Sequence, residues 1–238
     1  MRPLNIRQSS DTSLKVNRVY RRLLVRLRKG DYRFGDKLST AEITAEFGVS
    51  RQPVMAALGL LQVDGLVTIR PQVGCHVAAP AFSEISNFFE LFAVSEALLA
   101  GLAAERRSDT SLEPLEMAWN KLRSLTDVRT LSPTYGTYIR RFHSAVHEAS
   151  CAPDVQTRVE AMWSLCDFYL NTARAEVATE DVEREHVERR QIVDAIHARD
   201  RALAEDITRG HILSKLNRIG PGRNFDTLLT PAAVTAAR

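Results

Sequence analysis

Three cysteines stand in 238 residues, Cys75, Cys151 and Cys166, too few and too far apart for a disulfide framework, and with no C-x-x-C pair for a thiolate zinc site. Reduced, partly buried thiols are the expectation. No apolar run reads as the roughly 20 residues a bilayer span needs, and no signal-peptide apolar stretch opens the chain, so neither a membrane partner nor export is expected and the cytoplasm is the predicted compartment. Gly-x-Ser-x-Gly, His-Glu-x-x-His and a phosphate-binding glycine loop are all missing, and His147-Glu148 lacks a second histidine four residues on. Catalysis is not expected.

What is present is divided unevenly. Residues 1–80 carry 13 Lys+Arg against 6 Asp+Glu, while residues 81–238 carry 19 against 23. The overall charge of +3 therefore hides a basic end of +7 and an acidic body of −4. Lysine and arginine gain affinity for a polyanion by releasing its counterions, so the N-terminal end alone is suited to nucleic acid, unless it is only a solvated basic face.

Local pattern favours the first reading. From Ser13, Val16, Val19, Tyr20, Leu23, Leu24 and Leu27 recur at helical spacing between arginines, and Gly30 ends the run. The capping box Ser39-x-x-Glu42 starts a helix of about two turns that stops at Gly48. Val49 plugs the turn, Ser50 is an N-cap, and a third helix turns Val54, Ala57, Leu58 and Leu61 inward with Pro53 in its first turn. Helix, glycine turn, helix is the helix-turn-helix pattern. Arg51, Gln52 and Met55 then sit on the turn that enters the major groove, and Ser39, Thr40 and Ser50 at the two helix starts join them as candidate DNA contacts. After Asp64-Gly65, residues 66–70 and 75–78 read as a hairpin about Pro71-Gln72-Val73-Gly74, a wing in which Gly74 allows close approach to phosphate. Arg70 and His76 are either its polar contacts or merely solvated residues.

The series Gly35-Asp36-Lys37-Leu38-Ser39, Phe47-Gly48-Val49-Ser50-Arg51-Gln52-Pro53-Val54, Ala57-Leu58 and Leu61-x-x-Asp64-Gly65-Leu66-Val67, with Gly74, resembles the GntR family of repressors over roughly residues 14–79. An arginine usually follows the Pro-Val pair in that family. Met55 stands there instead, which implies an altered operator preference and more readout by Arg51.

Residues 81–219 read as helix after helix, with Ser83 and Thr179 as N-caps and Pro114 and Pro153 in early turns. The fold class expected is mainly α: a winged helix-turn-helix over 1–80, three helices plus the hairpin, then an antiparallel bundle of six or seven helices over 81–219. Residues 220–238 read as a partly ordered tail. The first bundle helix, with Ile85, Phe88, Phe89, Phe92, Leu98, Leu99, Leu102 and Ala103, is apolar on two sides, so it is either central or packed against a second subunit.

Phe142-His143, Asp194-Ala195-Ile196 and His211-Ile212 resemble the FCD ligand-binding domain of the FadR branch. Many such domains bind a small carboxylate beside a divalent metal held by one Asp and three His. Here His143 and His211 match, but the Asp position is Ile139, the middle His is Arg189, and an effector-binding Arg is Phe92. An aliphatic chain donates no lone pair and a guanidinium repels a cation, so no bound metal is expected. His143 and His147, one turn apart, with His211, are the remaining candidates for zinc or nickel.

Arg189 would then supply positive charge directly, with His143 and His211 as hydrogen-bond partners and Phe92 and Ile139 as apolar lining, for an anionic effector with an apolar part. A buried acid neutralising Arg189, leaving a bundle that only dimerises, is one alternative; a metal-dependent carboxylate sensor with shifted ligands is another. A homodimer on a palindromic operator, repressing until ligand shifts its geometry, completes the expectation. An architectural, sequence-independent DNA-binding protein is the rival, and activation in place of repression stays open.

Overall fold

The computed structural model describes residues 6–125, 133–173 and 179–219. The expected tail over 220–238 lies outside them. Two compact units emerge: one takes in the chain up to Phe82 together with the last turns of the seventh helix from Leu165, the other the rest of the helical body.

In the first unit, α1 (Ile6–Arg28) begins seven residues earlier than the apolar spacing suggests. Its Val19, Leu23 and Leu27 are fully buried. Several arginines of its basic face are committed within the unit: Arg18 donates to the Phe47 carbonyl at 2.7 Å, Arg26 pairs with Glu46 at 3.1 Å, and Arg28 pairs with Asp167 at 2.8 Å. Gly30 follows at φ +72°, and a Cβ there would lie 2.5 Å from the Asn171 carbonyl oxygen, so both backbone conformation and space demand glycine.

α2 (Thr40–Phe47) is capped by Ser39, whose Oγ accepts from Glu42 N at 3.2 Å, and ends at Gly48 in the left-handed conformation, φ 60°. α3 (Arg51–Val63) starts from Ser50, which has N-cap backbone geometry without a side-chain cap bond. Val54, Ala57, Leu58 and Leu61 are fully buried, as their spacing requires. The wing is β2 (Val67–Arg70) and β3 (Gly74–Val77), antiparallel with Arg70 opposite Gly74. A further strand, β1 (Lys37–Leu38), pairs with β3 and sets Lys37 opposite His76, giving the order β1-β3-β2.

The helical body runs α4 (Phe82–Arg106), α5 (Asp109–Arg123), α6 (Pro133–Ala149), α7 (Pro153–Thr172), α8 (Thr179–His197), α9 (Arg201–Ser214) and the single turn α10 (Leu216–Ile219). Ser83 lies inside α4 instead of capping it, because the helix already starts at Phe82. Pro114 is the sixth residue of α5, beyond the early turn, behind a reciprocal capping box between Ser108 and Ser111. Trp119, Leu122, Phe142, Val146, Val193 and Ile196 share one core. Contrary to the reading of the apolar runs, α4 is long and apolar enough to cross a membrane by length and composition, but 56% of that stretch is buried against protein, as in a core helix. Cys75 and Cys166 are buried, Cys151 is exposed, and all three are free.

Candidate functional site

The recognition turn is built for outward display. With Pro53, Val54, Ala57 and Leu58 turned inward, the intervening Arg51 and Gln52 are exposed and Met55 is half-buried. Arg51 makes no intramolecular hydrogen bond or ion pair among the described residues, so its guanidinium is uncommitted. Ser50 keeps its hydroxyl free of a cap bond, whereas the Ser39 oxygen accepts from Glu42 N and retains its O–H and one lone pair. Thr40 is half-buried and its carbonyl accepts from Thr44 Oγ1 at 2.7 Å. On the wing, Arg70 and Gly74 are exposed and His76 is half-buried. Gly74 has φ +114°, and the Lys37 Cε lies 3.8 Å from where its Cβ would be. Lys37, which the sequence reading did not single out, thus joins Arg70 beside the wing glycine.

Buried charge organises the helical body. Glu96 on α4 is 1% exposed and accepts three hydrogen bonds: from His143 Nδ1 at 2.9 Å, His147 Nε2 at 3.0 Å and Trp163 Nε1 at 2.7 Å. Burial pushes its carboxyl up, but His143 and His147 bring it further down, so it stays ionised. Burial lowers His143 by more than Glu96 restores, so the ring is neutral, with its proton on Nδ1 and a lone pair on Nε2. That Nε2 is buried and has no hydrogen-bond partner.

His211 lies beside it, ring centroids 5.8 Å apart and planes at 20°. Its Nδ1 meets Glu188 Oε2 at 2.6 Å and its Nε2 meets Lys215 Nζ at 3.2 Å. Burial, Lys215 and Arg189 hold His211 well below its ordinary value, hence neutral. Arg189 is fully buried and pairs with Glu185 one turn earlier on α8; Arg218 pairs with the same carboxylate, and Lys215 Nζ is 3.6 Å from it. Burial would raise the Glu185 carboxyl, but the three cations bring it far down.

Of the residues chosen from sequence, His143, His147, Arg189 and His211 are all buried in this body, and His143 and His211 are brought together. Phe92 is buried between Phe88, stacked at 5.6 Å, and Trp163, edge-on at 5.0 Å. Ile139 packs half-buried against the main apolar core. Sequence reasoning missed Glu96, Trp163, Glu185, Glu188, Lys215 and Arg218. Glu96 carried a signal, being the one charged residue between Leu91 and Ala104.

A divalent metal does not fit this donor set. Ile139 and Arg189 replace two ligands, an ammonium takes the His211 lone pair, and among the described residues no group of three or more His, Cys, Asp or Glu is arranged to hold an ion.

Two family models match the chain: bacterial regulatory proteins of the gntR family over residues 15–77, and the FCD domain over residues 88–214. The transcriptional repressor GlaR of Escherichia coli is 26% identical over 203 residues, covering 83% of this chain and 92% of that protein. The repressor RspR of the same organism is 34% identical over 82 residues, 34% of this chain and 36% of that one. Among solved structures, E. coli McbR/YncC superposes with a TM-score of 0.71 at 17% identity, and a GntR regulator from Rhodococcus sp. RHA1 with 0.68 at 19%; each match covers 86% of this chain and 96% of the other. The latter pair speak for the fold. With a matched winged helix-turn-helix ahead of a matched helical domain that spans more than half of its length, the chain belongs to the GntR family of transcriptional regulators and carries an FCD domain.

Proposed function

We propose that the chain is a homodimeric, cytoplasmic repressor whose hold on a palindromic operator is weakened by an anionic metabolite bound in the helical body. The observation that carries the ligand part is a pair of buried guanidinium donors without acceptors. Arg189, Lys215 and Arg218 surround the single buried Glu185 carboxylate, and the Nε atoms of Arg189 and Arg218 have no hydrogen-bond partner. Buried guanidinium N–H groups left without acceptors favour an anion that completes their hydrogen bonds. Phe92 and Ile139 are the apolar residues assigned to line that ligand, and His143 and His211 its polar partners.

For DNA, Arg51 is assigned the main base-edge contact, with Gln52 and Met55 beside it and Ser39, Thr40, Ser50, Arg70, Gly74 and His76 as backbone or groove-edge contacts. The exposed Leu91, Val94 and Leu98, spaced by three and four on α4, support a self-complementary subunit contact. Ligand that prefers one dimer geometry then shifts the spacing of the two recognition helices. Repression is favoured by the name of the relative GlaR.

A second reading has its own support. Glu185 already neutralises Arg189 from the same helix, which fits a body that only dimerises. Fluorescence anisotropy on an operator selected from random duplexes, titrated with straight-chain carboxylates from butyrate to decanoate, separates the two. Release by any of them supports the sensor. Specific binding unmoved by all favours the dimerisation reading, and equal binding to every duplex overturns the operator assignment.

A further inference from the structure

His143 and His211 share an arrangement that neither DNA binding nor dimerisation requires. Each gives its Nδ1 side to a carboxylate, His143 to Glu96 at 2.9 Å and His211 to Glu188 at 2.6 Å. A carboxylate behind Nδ1 fixes the tautomer and leaves the Nε2 lone pair facing forward, the way metal-binding histidines are oriented. The two rings stack 5.8 Å apart and both are buried. The His211 lone pair meets the Lys215 ammonium at 3.2 Å, and that of His143 has no hydrogen-bond partner.

We propose that Lys215 is a tethered cation: its ammonium occupies the His211 lone pair that a divalent ion would need, and this side chain keeps the domain metal-free. Lys215 is 3% exposed and starts from the residue just after α9, one helical turn from His211, so the ammonium reaches the ring without leaving the protein interior. Glu185 at 3.6 Å supplies its counter-charge. An ammonium has three donors and no acceptor, which matches a lone pair and a carboxylate but offers nothing to a second cation. Arg189 reinforces the exclusion, since its positive charge bears on both histidines. The burial that keeps both rings neutral also leaves their Nε2 atoms as acceptors. The inference uses the same buried cluster as the ligand reading but does not require that any ligand bind.

The test is zinc titration of the full chain, read by zinc retained after desalting and by the thermal unfolding midpoint, with wild type, Arg189→His, and Arg189→His/Lys215→Ala compared. Wild type is expected to retain no zinc and to melt alike with zinc or chelator. Arg189→His adds a third imidazole but keeps the ammonium, and should also retain none. Only the double variant should take about one zinc per chain, with a raised midpoint that chelator reverses. Stoichiometric zinc in wild type, equal zinc in the single and double variants, or none in a folded double variant would each overturn the proposal.

Should the double variant not fold, nitrogen NMR of wild-type histidines decides. His211 is expected as the Nδ1–H tautomer, with an Nε2 resonance displaced from that of His143 by the ammonium hydrogen bond, and zinc should move neither. An Nε2–H tautomer at His211 would overturn the assignment. Operator anisotropy on the same samples reports separately on DNA binding, so loss of that reading is not mistaken for loss of this one.

Discussion

Arginine plays opposite parts in the two units. At Arg51 and Arg70 in the winged unit the guanidinium is exposed and without a hydrogen bond or ion pair among the described residues, whereas Arg189 in the helical body is fully buried against Glu185. An exposed guanidinium pays little desolvation to remain ready for a phosphate or a guanine edge. A buried one persists only with a counter-charge, and removing that partner costs more than the pair ever contributed. Truncating Arg51 or Arg70 should therefore change binding with little change in stability, unlike the committed Arg18, Arg26 and Arg28, and the reverse should hold for Arg189.

The largest effect is expected at Glu96. Glu96→Ala leaves three buried N–H groups without an acceptor, those of His143, His147 and Trp163. Loss of about 3–5 kcal/mol in urea unfolding is expected. A change below about 1 kcal/mol, the median worth of an exposed pair, would mean that water reaches the cluster. Acid should attack the same place. His143 and His211 are held below their ordinary values by burial, so the unfolded chain takes up protons near pH 6.5 that the folded chain refuses. Glu96, lowered by its histidines against the upward push of burial, acts in the same direction at lower pH. Stability is complete above about pH 6.5 and falls as pH drops from there, and a midpoint flat between about pH 7 and 5 would contradict buried neutral histidines.

Arg51→Ala should lower affinity for the selected operator about tenfold to a hundredfold, the loss of one bidentate base contact, and leave unfolding within about 0.5 kcal/mol of wild type. Equal loss on random duplex would reassign Arg51 to a phosphate.

The units also differ in how much their sequence discloses. Ser39, Gly48 and the inward positions of α3 are local signals, each acting within a few residues, and the helix-turn-helix is legible from them. β1 was not legible, because two residues become a strand only when β3, nearly forty positions later, supplies the register that sets Lys37 opposite His76. The buried cluster is long-range throughout. His143 is 47 positions from Glu96 and Trp163 is 67. Histidines and Arg189 attract attention by type, but an acid or a lysine announces burial only through its surroundings, as Glu96 did within an apolar helix and Lys215 did not. Glu185 was within reach, four residues before Arg189 on the same helix face.

The smallest effect expected sharpens the comparison most. Lys37 and Arg70 flank Gly74, and on the proposal that the wing meets phosphate, their contribution to DNA binding is counterion release. Each alanine substitution should weaken specific and random duplexes alike and reduce the slope of log affinity against log salt by about one. Arg51→Ala instead should change discrimination between the two duplexes at every salt concentration. If Arg70→Ala altered discrimination without changing the salt slope, the wing would be reading groove shape, and the division between base contact on α3 and phosphate contact on the wing would fail.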